Sequence, residues 1–300
     1  MKKTGLWALA VIITVFVLIF QRMTGPTYPI KDSVEISGKE ITYTLERSHV
    51  TTEDYVLHIE APENISGHIV YKRYKTADPW TRVPLNRENG ILKGSLPAQP
   101  PAGKLIYRIY LESGDSRVSL SRDDPVIIRF KGEVPDIIVI LHIVAIFAAF
   151  LLSTRAGLEA LRPQGRPRKL AYWTVAFLIL GGFILGPIMQ KYAFGAFWTG
   201  FPIGTDLTDT KTLVALIGWA AALIRGKPGK SARRWSLAAA ILLLAVFMIP
   251  HSLMGSELDY SDLDQETGII SRSRGSLNST VTWKTAGRGS PSSLYGTYIH

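Results

Sequence analysis

Apolar residues follow two different rhythms along this chain. In residues 5 to 20, "GLWALAVIITVFVLIF", they form an almost unbroken block, and similar blocks cover residues 137 to 152, 170 to 188, 207 to 224 and 235 to 254. Each is near the ~20 residues a helix needs to cross about 30 Å of hydrocarbon, so the pattern predicts five membrane-spanning helices. Between the first two blocks the rhythm changes to alternation. Short runs rich in Val, Ile, Tyr and Thr ("EITYTLERS", "DYVLHIEAP", "GHIVYKRYK", "WTRVPLN", "GILKGSLPA", "GKLIYRIYLES", "PVIIRFKG") are punctuated by Gly, Pro, Asn and Asp. Turn signals every 8 to 12 residues predict about seven strands in residues 26 to 132. The expected fold class is therefore α+β: a five-span helical bundle with an all-β sandwich inserted after the first span.

Charge orients this arrangement. Lys2 and Lys3 precede the first block, Arg155, Arg162, Arg166, Arg168 and Lys169 lie between the second and third, and Arg225, Lys227, Lys230, Arg233 and Arg234 lie between the fourth and fifth. These twelve cations face one acid, Glu159, so they supply +11 of a formal net charge of +10 over 300 residues. Cationic loops are retained on the cytoplasmic side. The expected location is a bacterial inner membrane in contact with lipid, with the N-terminus inside and the β region and C-terminus in the periplasm. No aromatic interleaving or repeat accompanies the basic loops, so no nucleic acid is expected as a partner. The first block has no small-x-small cleavage site after it and reads as an uncleaved anchor, residues 1 to 25. Cysteine is absent, which excludes disulfides and thiolate metal sites.

In the β region, "GSLPAQPPAGKLIYRIYLESGD", with Trp80 upstream, resembles the later strands of fibronectin type III or immunoglobulin-like modules. The resemblance covers about residues 26 to 132 and implies a β-sandwich used as a spacer or binding surface for an envelope protein or glycan. It implies no catalysis.

Chemistry in the remainder, residues 133 to 256, concentrates near one membrane face. His142 lies ~10 Å from Pro135 and His251 ~24 Å from Trp235 at 1.5 Å per residue, which puts both in the outer half of the core. Ionisable groups at such depth face a cavity or partner. The pair suits a bis-histidine haem b or, with Glu257, Asp206 or Asp209, a divalent metal. A third possibility is a quinone or lipid pocket walled by Phe197, Trp198 and Phe201. Equally open is a structural account: Asp206 caps the fourth span with Asp209 in its first turn, and Gly182 and Gly186 form a small-xxx-small packing motif. Arg155 and Glu159 sit one turn apart and predict an ion pair.

Hydrolysis has no motif. His251, Ser252 and Asp259 include the residue types of a triad, but adjacent helical residues point about 100° apart and cannot share a nucleophile-to-base hydrogen bond. Residues 257 to 300, rich in Ser, Gly and Thr, read as a flexible tail. The expected function is non-enzymatic: presentation of a binding domain, with a ligand site near the outer face of the bundle. Redox or metal handling through His142 and His251 is the alternative.

Overall fold

The computed structural model describes residues 3 to 121, 124 to 250 and 255 to 265. Five helical segments among them are long and apolar enough to cross a membrane. They are α1 (Lys3–Met23), α2 (Asp136–Ala160), a composite segment, α5 (Leu207–Arg225) and α6 (Lys230–Met248). The composite segment is α3 (Arg168–Leu178), a π-helical stretch (Ile179–Leu185) and α4 (Gly186–Phe194).

These helices are apolar outside and small or polar where they touch. Ile12, Phe16, Ile143, Ile217 and Ile241 project outward and exposed, whereas Ala149, Ser153, Ala156, Ala215 and Ala240 are buried. That distribution is the one expected when lipid, not water, bathes the outer surface, because helices then associate through close packing of small residues. A Cβ on Gly157 would lie 2.7 Å from that of Ala240, so α2 and α6 approach backbone to backbone there. Some polar groups inside are paired: Trp219 Nε1 donates to Ser153 Oγ at 3.1 Å, and Gln21 Nε2 donates to the Phe247 carbonyl at 2.9 Å, whereas Thr14 Oγ1 and Thr154 Oγ1 have no hydrogen-bond partner. Arg155 pairs with Glu159 at 2.8 Å, as their spacing predicts, and Arg162 joins them at 2.9 Å.

Among the described residues the inserted region holds eleven strands: β1 (Ile30–Ile36), β2 (Lys39–Leu45), β3 (Ser48–Val50), β4 (Tyr55–Glu60), β5 (Ser66–Arg73), β6 (Thr81–Pro84), β7 (Asn86–Glu88), β8 (Ile91–Leu96), β9 (Lys104–Ser113), β10 (Ser116–Ser119) and β11 (Val126–Lys131). All seven predicted runs lie on strands; β1, β3, β7 and β10 are additional. They form sheets of two, six and three strands, ordered β1-β2, β3-β11-β9-β5-β6 with β10 beside β9, and β4-β8-β7. One apolar cluster joins the three sheets. Ile41 and Leu45 come from the first, Ile69 and Tyr107 from the second, and Leu57 and Leu92 from the third. Strand β11 runs on into α2, and Gly132 N–H donates to the Ala193 carbonyl at 2.9 Å, so the β region is seated where α4 ends.

Beyond Leu258 the chain forms a separate unit. Residues 260 to 265 are helical there, and Asp259 accepts from Ser261 N–H at 2.9 Å. Most of the predicted tail, residues 266 to 300, lies outside the described residues.

Candidate functional site

The π-helical stretch shapes the floor of the site. Its wider turn lets Gly186 N–H donate to the Gly181 carbonyl, and that same oxygen accepts from His142 Nδ1 at 3.0 Å. A carbonyl only accepts, so Nδ1 carries the proton and in the neutral ring Nε2 keeps its lone pair. π-Turns within α-helices frequently mark functional positions. The glycines here serve close packing. A Cβ on Gly186 would lie 3.6 Å from His142 Cε1, and one on Gly182 would lie 2.4 Å from Thr212 Cγ2.

Above this floor, at the end of the bundle that carries the β region, lies a cavity of about 140 Å³. Ile146, Met189, Phe194 and Phe247 supply apolar wall; Arg129, His142, Gln190, Asp206, Asp209 and Thr212 supply polar wall. A cavity of about 150 Å³ accommodates one benzene ring, so this one has room for a single ring or a compact headgroup.

A polar network fixes one side of it. Asp206 caps α5 by accepting from Thr208 N–H at 2.7 Å, and its second oxygen accepts from Ser256 N–H at 2.9 Å and Ser256 Oγ at 3.1 Å. Asp209, one turn on, accepts from the backbone N–H groups of Thr199 at 2.8 Å and Gly200 at 3.1 Å. Gln190 donates to Thr199 Oγ1, which lies 2.9 Å from Ser256 Oγ. Both acids are thus supplied with donors, and the cap predicted for Asp206 is present.

The cation of the site is less well supplied. Arg129, on β11, is 6% exposed. Its Nη2 donates to the Ser256 carbonyl at 2.6 Å, and its guanidinium lies 3.9 Å from the Phe194 ring centroid. Its buried Nε has no hydrogen-bond partner. Burial pulls its pKa down to about 10, partly offset by Asp206 and Glu257, and it remains charged at neutral pH. A buried, unused guanidinium N–H is costly unless something accepts from it.

The residues singled out from the sequence divide. His142, Asp206 and Asp209 line the same cavity. Glu257 instead forms ion pairs with Lys104 at 2.8 Å and Lys75 at 2.9 Å, on the β region. His251 and Ser252 lie outside the described residues. Among the described residues no three His, Asp or Glu side chains are grouped so as to hold a metal ion. Phe197, Trp198 and Phe201, expected as apolar walls, are not part of the lining. Trp198 stacks on Phe183 at 5.5 Å and donates to the Gly200 carbonyl at 3.0 Å, which turns it into the loop. Arg129, Gln190, Thr199 and Ser256 carry the network without having been read as site residues; a lone Arg in the apolar run "VIIRFK" was the available signal for the first. Compared with known proteins, the chain matches no family model and no curated sequence.

Proposed function

We propose that this chain is a five-span membrane protein whose cavity holds the headgroup of an amphiphile that offers a hydrogen-bond acceptor. The observation that carries the reading is the unpartnered, buried Nε of Arg129, a residue that lines this part-apolar, part-polar cavity. Nε has almost no accessible surface in this conformation, so an oxygen from a carboxylate, a phosphate or a quinone ring would accept from it after a small turn of the guanidinium toward the cavity. His142 Nε2 would accept from a hydroxyl, and the apolar tail would leave between helices into lipid. The basic loops lie at the bundle end opposite the β region, and retention of positive charge inside supports an outer location for the β region and the cavity.

The β region is, on this reading, an immunoglobulin- or fibronectin-like sandwich acting as a binding module in the periplasm. Strand order supports it. With β4, β5, β6, β7, β8, β9 and β11 as strands B, C, C′, D, E, F and G, the observed orders become G-F-C-C′ and B-E-D, the arrangement of such modules.

Thermal stabilisation in a mild detergent tests the cavity, with dodecanoate, dodecyl phosphate and dodecyltrimethylammonium as probes. The two acceptor-bearing probes are expected to raise the melting temperature of the wild type but not of Arg129→Met, while the cationic probe does nothing. Equal stabilisation by all three would refute the reading. A second reading, haem b or a divalent metal held by His142 and His251, draws on the Nδ1 hydrogen bond to Gly181, since ligating histidines commonly donate their other ring N–H to a carbonyl. A Soret band, or one equivalent of metal lost in His142→Ala, would favour it.

A further inference from the structure

The outer face of the six-stranded sheet carries chemistry that the cavity does not use. Strand register sets His68, Val70 and Lys72 of β5 opposite Tyr110, Arg108 and Ile106 of β9, so these six side chains share one face. Their neighbours Ile69, Tyr107 and Ile109 point into the core. The same rule adds Arg82, opposite Val70, and Arg117, opposite Glu112, with Lys104 at the start of β9. Apart from the buried Arg129, the face therefore carries five cations, Lys72, Arg82, Lys104, Arg108 and Arg117, against Glu112 and against Glu257, which pairs with Lys104 at 2.8 Å. Like charges on neighbouring strands repel, and an excess of one sign creates a field suited to an oppositely charged partner.

Aromatic rings alternate with these cations. Lys72 Nζ is 5.6 Å from the centre of Trp80, Arg117 Cζ is 4.1 Å from that of Tyr110, and Lys104 Nζ is 5.5 Å from that of Tyr74. Trp80 is 45% exposed, a large apolar surface left in the open. The guanidiniums are also held in place. His68, 3% exposed, stacks on Tyr110 at 5.2 Å and with its one ring lone pair accepts from either Arg82 Nη2 (3.1 Å, at Nδ1) or Arg117 Nη2 (3.4 Å, at Nε2), while Glu112 lies 3.9 Å from the first guanidinium and 3.7 Å from the second. Fixed side chains lose less entropy when a partner arrives.

The shape of the face narrows the partner. Glu112 and Arg117 lie about 26 Å along β9 from Lys104, at ~3.3 Å per residue. Lys104 pairs with Arg129, which touches Phe194 of the bundle. A lipid surface at the bundle end would meet the lower edge alone, whereas an extended polymer matches the whole length. An acidic peptide would use the cations and leave the rings without partners. Sugar rings have apolar C–H faces that pack flat on indole and phenol.

We propose that this face binds an acidic polysaccharide, its carboxylates or phosphates pairing with Lys72, Arg82, Arg108 and Arg117 and its sugar rings packing on Trp80 and Tyr110. The proposal names the partner of the β region and rests on reading that region as an extracytoplasmic binding module.

Full-length protein in detergent, immobilised and titrated with polygalacturonate, dextran and polyglutamate, tests it by interferometry. Polygalacturonate is expected to bind, dextran not to, and polyglutamate to bind about tenfold more weakly, a difference of roughly 1.4 kcal/mol. Raising salt from about 0.05 M to about 0.5 M should weaken the polygalacturonate complex severalfold, since the exposed pairs are screened beyond a few ångströms. Arg82→Glu combined with Arg108→Glu should weaken it about tenfold. Trp80→Ala, an exposed change that leaves the core intact, should cost about threefold to tenfold if the ring packs on sugar. Absence of polygalacturonate binding, equal binding of dextran, or polyglutamate binding as tightly as polygalacturonate would each overturn the proposal, as would unchanged affinity in both variants. Failure of the location is read separately: an impermeant thiol reagent would then label Gly165→Cys instead of Ser95→Cys, whatever the titration gives.

Discussion

Asp209 is the residue whose removal should reveal how the loop before α5 is held. Its carboxylate accepts from Thr199 N–H at 2.8 Å and Gly200 N–H at 3.1 Å, and the loop lies so close to α5 that a Cβ on Gly200 would be 2.4 Å from Asp209 Cβ. Hydrogen bonds to a charged acceptor contribute about 1.5–3 kcal/mol each, so Asp209→Ala, which leaves both N–H groups without an acceptor, forfeits about 3–6 kcal/mol of local stability. Water entering the vacated space and the remaining Phe201 N–H to Thr210 Oγ1 bond at 3.0 Å reduce the loss toward the lower value. About 3 kcal/mol corresponds to roughly a hundredfold change in local opening. Hydrogen exchange read at single-amide resolution in detergent is therefore expected to accelerate about a hundredfold at Thr199 and Gly200 and to leave Ile109 in β9 unchanged. Asp209→Asn keeps one acceptor oxygen and should fall between. Acceleration under about threefold, or equal acceleration in β9, would contradict the assignment of these two bonds as the loop's anchor.

Three further outcomes follow from other parts of the molecule. Burial tends to raise the Glu257 pKa, but hydrogen bonds from Lys104 and Lys75 outweigh it and hold the carboxyl below its ordinary value. Its anchoring is then complete above the ordinary glutamate pKa of about 4.3 and lost as pH falls through the lower folded value. Protection of the Leu258 amide, which donates to the Ala102 carbonyl at 3.2 Å, should stay constant between about pH 7 and about pH 5 and fall below that range, and the pH dependence should vanish in Glu257→Gln; release starting above about pH 6 would refute it. Gly182→Leu meets Thr212 Cγ2, 2.4 Å from the added Cβ position, and should destabilise the bundle by about 1–3 kcal/mol, read as a lowered melting temperature that Thr212→Ala partly restores. Cysteines placed singly at Ser95 and Ser290 should react with an impermeant thiol reagent in spheroplasts, and one at Gly165 should not.

The long apolar blocks and the alternating runs were legible because each element type has its own period, and those periods survive in a single sequence. Strands β3, β7 and β10 are three or four residues long, too short for alternation to register, and β1 is interrupted by Lys31, Asp32 and Glu35. The helix of the fifth span ends at Met248, with Ile249 extended and Pro250 next, and residues 251 to 254 of the predicted block lie outside the described residues. The π-turn was hidden because Gly181, Gly182 and Gly186 read the same whether they pack helices or accompany a widened turn. Asp206 was legible as a cap because capping is local. Arg129 and Ser256 were not, since they meet across a sequence separation of 127, and no local pattern encodes a contact of that separation. The pairing of Glu257 with Lys75 and Lys104 was hidden for the same reason.

The claim that matters most is that the cavity beside Arg129 holds an amphiphile, and native mass spectrometry of the intact chain released from lipid nanodiscs addresses it directly. The wild type should retain one small amphiphilic molecule per chain whose fragments include a carboxyl, phosphate or quinone oxygen, and Arg129→Met should retain none while keeping its melting transition. A wild-type spectrum without a bound species, or an Arg129→Met spectrum with the same species at the same occupancy, would contradict the account.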